Sequence, residues 1–156
     1  MSDDSPTLAL RAVAMPAFAN SHGDIFGGWL LSQMDLAGGT VATRRANGRV
    51  VTVAVTAMTF HRPVFVGDEV TCYAEVVKIG RTSMTLKIKA FARRGRTGEK
   101  IEVTEGLFTY VAVDAEGKSR PVPLDKQLGT QAGQSGHPGF WNAPRNFHVP
   151  EDMGEK

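Results

Sequence analysis

Residues 26–43 read FGGWLLSQMDLAGGTVAT, a helical segment in which Asp35 is the only ionisable side chain. Apolar side chains occupy nearly every face of this segment, so the pattern predicts a buried helix. A carboxylate that is buried without a partner destabilises the fold by several kcal/mol. Asp35 therefore calls for an explanation that packing does not supply.

A glycine pair, Gly27-Gly28, opens the same helix. The first backbone N–H groups of a helix have no partner within it, and they point along its positive end. Such groups can bind the negative charge that develops on a carbonyl oxygen, although a packing requirement would explain the same glycines equally well. A second pair, Gly38-Gly39, lies inside the helix, where each glycine costs about 1 kcal/mol relative to alanine. For this second pair we favour a packing notch.

Strand patterns flank the helix on both sides. One short strand is predicted before it, at 8–15, and Asn47-Gly48 mark the end of the helix. Four more strands are predicted after it, at 50–60, 70–76, 84–92 and 101–113. The order predicts an α+β fold with an antiparallel sheet large enough to cover one helix.

Two of these strands have further features. In the strand at 50–60 the apolar alternation changes phase at Met58, which predicts a bulge or a strong bend. The strand at 101–113 is apolar on both faces, which is typical of a central strand or of one that is covered on both sides. Residues 64–68 between the strands are predicted to form a turn.

Composition limits the classes of function. A chain of 156 residues predicts one domain, assigned here to 1–124, and the aperiodic segment 125–156 predicts an extended or disordered tail. The net charge of +2 is spread over several hairpins, so nucleic-acid binding is not indicated. No segment has the length of a membrane span or the basic start of a signal peptide, and the single Cys72 favours a packed thiol. We therefore expect a cytoplasmic protein without membrane or nucleic-acid partners.

The spacing within the helix carries a prediction about assembly. Asp35 follows Gly28 by seven residues, which places it about 10 Å further along the helix axis. It therefore cannot reach a carbonyl group held at the start of its own helix. A two-fold dimer with antiparallel helices would bring the partner's Asp35 close to that carbonyl. The alternative for Asp35 is a solvent-facing notch or an ion pair with an arginine.

Three segments in fixed order resemble a known family: NSHGDIFGGWLLSQMD at 20–35, GRVVTVAVTAMTFHRPVFVGDEV at 48–70 and KIGRTSMTLKIKA at 78–90. Together they are similar to the YciA-type acyl-CoA thioesterases of the hot-dog fold, over about residues 8–123. The resemblance implies a five-stranded antiparallel sheet wrapped around one long helix, a dimer with a continuous sheet, and commonly a trimer of dimers. It implies no cofactor, since coenzyme A is part of the substrate and product. The tail after Asp125 departs from the family pattern.

The resemblance also implies roles for individual residues. Asp35 matches the catalytic aspartate, Asn20 matches a loop asparagine that positions substrate and water, and the Gly27-Gly28 amides match the group that polarises the carbonyl. The turn Gly80-Arg81-Thr82-Ser83 matches a loop near the nucleotide of coenzyme A. Further cations at turns could reach its phosphates, although each alone also fits a solvated surface charge: Arg62, Lys118 and Arg120.

The predicted activity is hydrolysis of acyl-CoA to a free fatty acid and coenzyme A, with Asp35 as base or nucleophile. An acyl-CoA sensor without activity is the alternative, and a hydratase would need a reachable histidine that the helix lacks. His22 could act as a base but matches no catalytic position of the family. The remaining histidines, His61, His137 and His148, show no metal-binding spacing with each other or with Cys72, so no metal is predicted.

Overall fold

The structure is a computed structural model, and it describes residues 5–124. In this part of the chain one long helix contacts all five strands of an antiparallel sheet, whose order is β1-β3-β4-β5-β2. The elements are β1 Thr7–Val13, the 3-10 helix Pro16–Phe18, α1 Gly27–Ala46, β2 Val50–Phe60, β3 Glu69–Ile79, β4 Ser83–Arg93 and β5 Lys100–Ala112. The predicted hot-dog fold is confirmed. The predicted tail lies outside the described residues, and the domain boundary at 124 stays a prediction.

The helix α1 packs only one face against the sheet. Its buried face includes Leu30, Met34 and Ala42, whereas Leu36 is 59% exposed. The expectation of a helix buried on every side is therefore wrong for a single chain, because the sheet covers one side of a helix and leaves the other open. The end of α1 follows the predicted signal. Asn47 adopts a left-handed φ of 48°, and its N–H donates to the carbonyl of Arg44.

Gly38 sets how closely α1 approaches the sheet. A Cβ atom at this position would overlap the hydroxyl of Tyr110 on β5 and the Cδ1 of Ile88 on β4. The predicted packing notch is confirmed at Gly38. At Gly39 a Cβ would lie 3.8 Å from the Tyr110 ring, an ordinary contact, so packing alone does not require the second glycine.

The strand β2 forms one edge of the sheet. Its register against β5 is irregular between Thr52 and Ala54 and again between Thr56 and Thr59, and Ala57 has a φ of 50°. This confirms the predicted bulge. The strand β5 lies between β4 and β2, so the prediction of a central strand is also confirmed.

The turn between β2 and β3 is fixed by a buried ion pair. Asp68 is 3% exposed and pairs with the guanidinium of Arg94, while its carboxylate also accepts the N–H of Phe65 at 2.9 Å. A second Arg94 nitrogen donates to the carbonyl of Pro63 at 3.0 Å. These contacts hold in place the segment before β3, which also borders the pocket described below.

Two further sequence predictions concern Cys72 and the membrane. Cys72 is a buried free thiol, as predicted, and burial raises its pKa to about 12. Within residues 5–124, the helix lacks the apolar length that a membrane span requires.

Candidate active site

The loop before α1 is organised around Asn20. Its side-chain Oδ1 accepts the backbone N–H of His22 at 2.9 Å and that of Asp24 at 3.1 Å. The N–H of Ile25 donates to the carbonyl of Val64 at 2.8 Å, which ties the loop to the turn before β3. Asn20 therefore fixes the path of the chain into the helix. Its Nδ2 forms no hydrogen bond within the described residues.

The first N–H groups of α1 are open. Within residues 5–124, neither Gly27 nor Gly28 donates its N–H to a protein acceptor, and no side chain caps the helix. A Cβ at Gly27 would lie 3.4 Å from the Phe60 ring, but a Cβ at Gly28 would meet nothing within 4 Å. Packing within one chain therefore does not explain Gly28. The open amides favour the anion-binding interpretation of the pair.

A pocket of about 390 Å³ lies beside this helix start. Its lining is largely apolar and comes from the helix start, the end of β2 and the turn that follows: Ile25, Gly27, Leu30, Phe60, His61, Arg62, Pro63 and Val64. Arg62 is thus a predicted phosphate-binding cation that the fold places at the same pocket as Gly27.

Asp35 is partly exposed and held by two hydroxyl groups. Thr52 on β2 donates its Oγ1–H to Asp35 Oδ1 at 2.7 Å, and the Tyr110 hydroxyl lies 3.1 Å from the same oxygen. Within the described residues, Oδ2 has no partner, and no arginine pairs with the carboxylate. The expectation of a fully buried carboxylate is therefore wrong for a single chain, because Asp35 lies at the margin of the open face of α1.

Sequence reasoning missed Thr52 and Tyr110. Tyr110 is 1% exposed, and its hydroxyl also lies 3.0 Å from the backbone carbonyl of Asp35. Burial, followed by the negative charge of Asp35, raises the pKa of Tyr110, while the backbone of Gly39 lowers it by a smaller amount. The phenol therefore remains protonated and can donate a hydrogen bond at neutral pH.

The turn Gly80-Arg81-Thr82-Ser83 lies at the other end of the helix. The carbonyl of Thr82 accepts the N–H of Ala112, and Ala112 pairs with Val50, close to the end of α1. The helix has 20 residues, so it spans about 30 Å from its start to this end. In one chain, the turn and the pocket beside Gly27 are therefore far apart.

The other two residues predicted to bind phosphate are Arg120 and Lys118. Arg120 donates to the carbonyl of Ala46 at 2.8 Å and to that of Val113 at 3.1 Å, so its guanidinium is bound to the C-terminal end of α1. This contact favours a structural role for Arg120. Lys118 is exposed in a turn held by Asp114. Binding of coenzyme A by either residue stays a prediction.

His22 and His61 form no hydrogen bond with Asp35, and His137 and His148 lie outside the described residues. His22 is exposed, with its Nδ1 3.4 Å from the hydroxyl of Ser21. The ligand atoms of His61, Glu102 and Glu105 lie within 4.8 Å of one another, a grouping that spacing among histidines and cysteines alone could not reveal. Lys89 pairs with both glutamates, at 3.6 and 3.7 Å, so one protein cation already offsets part of their negative charge.

Comparisons with known proteins agree with this geometry. Residues 22–99, which contain the glycine pair, Asp35 and the 80–83 turn, match the thioesterase superfamily. The acyl-CoA thioester hydrolase YciA of Salmonella typhimurium is 52% identical over 127 residues, which cover 78% of this chain and 96% of that protein.

Solved structures show the same similarity. A hexameric thioesterase from Yersinia pestis is 50% identical, with a TM-score of 0.75 and coverage of 77% of this chain and 98% of that one. A hexameric hotdog fold thioesterase of Campylobacter jejuni is 41% identical, with a TM-score of 0.73 and coverage of 81% of this chain and 95% of that one.

Proposed function

The chain belongs to the thioesterase superfamily and is an acyl-CoA thioester hydrolase, and we propose that it uses Asp35 and the amides at the start of α1 for this hydrolysis. One observation carries the proposal: Asp35 presents an unoccupied Oδ2 on the same open face of α1 as the unpaired amide of Gly28. Seven residues on a helix return to nearly the same face, because each residue turns the helix by about 100°.

In the first route Asp35 acts as a base. Oδ2 takes a proton from a water molecule while the water oxygen bonds to the thioester carbon, and the electron pair of the C=O bond moves onto its oxygen. The amide of Gly27 or Gly28 donates a hydrogen bond to that oxyanion. The C=O bond then re-forms, the C–S bond breaks, and the sulfur leaves with the electron pair and accepts a proton. The products are the carboxylic acid and coenzyme A.

In the second route Asp35 is the nucleophile. Oδ2 bonds to the thioester carbon and expels the thiolate, which forms an acyl anhydride on Asp35 that water then hydrolyses. The two routes differ in where an oxygen from water ends up. In H₂¹⁸O over many turnovers, the covalent route with water attacking the aspartyl carbon labels Asp35, whereas the base route labels only the product acid. An ¹⁸O label in a peptide of the 27–44 region, measured by mass spectrometry, would therefore establish the covalent route.

The site requires a second copy of the chain. Asp35 is bound to Thr52, whereas Gly27 lies against Phe60, so α1 runs antiparallel to β2. Suppose that the β2 strands of two copies pair antiparallel about their central residue, Val55. The second copy's Thr52 then lies opposite Met58 of the first copy, two residues from Phe60. The second copy's Asp35 is then brought to the glycine pair of the first.

The exposed edge supports this assembly. Within residues 5–124 the outer edge of β2 has no neighbouring strand, and this strand carries apolar side chains, with Val53 55% exposed and Phe60 53% exposed, while Leu36 is exposed beside it on α1. An apolar edge strand without a neighbour is a template for pairing with another chain. We therefore propose a dimer with a continuous sheet. Three such dimers would form a hexamer, in keeping with the hexameric state of the relatives from Yersinia pestis and Campylobacter jejuni.

In the same dimer, a bound coenzyme A would span the interface between the two copies. Antiparallel helices bring the end of α1 in the second copy, with its Gly80–Ser83 turn, towards the pocket beside Gly27 of the first copy. Arg81 would then pair with a phosphate of the nucleotide, and Arg62 would lie at the pocket itself. A cytoplasmic location belongs to the same proposal, since a single buried thiol needs no oxidising compartment.

Asp35→Asn tests the assignment of the carboxylate. The amide is nearly isosteric but cannot accept the proton, so turnover should fall by about 10² or more, since positioned acid–base groups contribute 10² to 10⁴. A thiol-release assay with acyl-CoA measures the loss, and Glu99→Gln, the same carboxylate-to-amide change at an exposed residue before β5, is the matched control. Activity within about tenfold of the parent would contradict the role of Asp35.

A further inference from the structure

We propose that Tyr110 is a positioning residue for Asp35, which anchors Oδ1 so that Oδ2 remains directed to the substrate. This inference rests on the proposed function of Asp35. Tyr110 does not line the pocket and is only 1% exposed, so it does not reach substrate and acts through Asp35.

The hydroxyl of Tyr110 meets Asp35 at two points. It lies 3.1 Å from Oδ1 and 3.0 Å from the backbone carbonyl oxygen of the same residue. Thr52 binds Oδ1 from β2 at 2.7 Å, so the two hydroxyls approach one oxygen from two different strands. A carboxylate with one oxygen held in this way cannot rotate freely about its χ2 torsion, and its second oxygen keeps one direction.

The phenol itself is held in place. Its oxygen lies at the notch of Gly38, where a Cβ atom would overlap it, and Ile88 packs on the same notch. Because burial and Asp35 both disfavour its ionisation, the phenol remains a hydrogen-bond donor in the working pH range of the enzyme. A rigid donor of this kind keeps the reacting oxygen within the narrow geometry that proton transfer requires.

Tyr110→Phe tests the inference, because phenylalanine fills the same space and removes only the hydroxyl. We expect kcat to fall about tenfold or more while KM for acyl-CoA stays within about twofold, since substrate contacts are unchanged. The matched control is Tyr73→Phe, which removes the other tyrosine hydroxyl of the chain, bound to Lys100 at 3.2 Å. An unchanged kcat in folded Tyr110→Phe, or a loss confined to KM, would overturn the inference.

A second pair of variants covers the case in which Tyr110→Phe does not fold. Ile88→Val removes the Cδ1 atom at the notch, so that in Gly38→Ala/Ile88→Val the new methyl group meets the phenol alone and displaces it from Asp35. We expect kcat to fall in the double variant and to persist in Ile88→Val. If the double variant keeps the kcat of Ile88→Val, or if it and Tyr110→Phe both fail to fold, Tyr110 is structural and the inference is rejected.

The same variants distinguish failure of the positioning role of Tyr110 from failure of the proposed function of Asp35. If Asp35→Asn is inactive and Tyr110→Phe is fully active, only the positioning role is lost. If Asp35→Asn retains activity, the function of Asp35 and the role of Tyr110 are rejected together.

Discussion

A site that takes Asp35 from one copy and the glycine pair from another makes a reciprocal prediction about mixed dimers. One chain carries Asp35→Asn, the other carries Gly28→Leu, and each has a different affinity tag. The leucine side chain would project into open space, since a Cβ at Gly28 meets nothing within 4 Å, so the chain should fold. Each variant alone should be inactive, because the Asp35→Asn homodimer lacks the carboxylate and the leucine side chain of the Gly28→Leu homodimer covers the amides at the start of α1.

The expected activity follows from counting sites. In a mixed dimer, one site combines the intact glycine pair of the Asp35→Asn chain with the intact Asp35 of the other, and the second site has lost both groups. A mixed dimer should therefore have about half of the parental kcat, and an equimolar mixture, in which about half of the dimers are mixed, about a quarter per dimer, whether or not the dimers assemble further. Thiol release from acyl-CoA measures both values.

Placing both substitutions in one chain reverses the expectation. In a dimer of the doubly substituted chain with an unmodified chain, each of the two shared sites contains one substituted residue. This mixed dimer should therefore be inactive. A site contained within one chain would give the opposite pattern: no activity in the first mixed dimer and about half in the second. That outcome would refute the 10 Å argument that separates Gly28 from Asp35.

Three further predictions are open to test. Gly28→Ala should not lower the free energy of unfolding in urea denaturation, because a Cβ there meets nothing within one chain, yet its methyl group beside the open amides should lower turnover in the thiol-release assay. Arg81→Ala should raise KM for acyl-CoA with little change in kcat, should spare a pantetheine thioester with the same acyl group, and should lose its effect at high salt; equal effects on both substrates would remove Arg81 from nucleotide binding. In Tyr73→Phe, ultraviolet titration should show no tyrosinate near pH 10 while the protein is folded, because the raised pKa of Tyr110 keeps this residue protonated in the native state. The free energy of unfolding should therefore fall above about pH 10, where the tyrosine of the unfolded chain ionises. A folded protein with a normal tyrosine titration would contradict the last of these.

The local pattern of the sequence predicts the elements well. The helix is predicted at 26–43 and observed at Gly27–Ala46, and the phase change at Met58 correctly predicts the bulge in β2. These features depend on side chains within a few residues of one another, which periodicity reports directly. The exposed face of α1 could not be predicted in the same way. Apolar residues that pack against another subunit show the same sequence periodicity as apolar residues buried within their own chain.

The site illustrates a different limit. Asp35 and the glycine pair stand out because each breaks a local rule, as an acid in an apolar helix or as glycine where helix formers are expected. Thr52 and Tyr110 break no such rule, since threonine and tyrosine are common in strands, and they lie 17 and 75 residues from Asp35. Only the pairing of β2 and β5 brings their hydroxyls to one oxygen. Arg120 likewise resembles a surface cation until its contact with Ala46 is seen.

The close contact at Gly38 couples the spacing of the core to the chemistry of the site. Gly38 lies less than one helical turn from Asp35, and the atom that it meets on β5 is the same hydroxyl that anchors the carboxylate. Any change that widens the gap between α1 and the sheet therefore also lengthens the bond to Oδ1. Since displacements of about 1 Å can cost 10² in rate, we expect turnover to fall with small changes in helix–sheet spacing if Asp35 is the catalytic carboxylate. Mild core substitutions, including ones far from acyl-CoA, should register as lost activity before they register as lost stability.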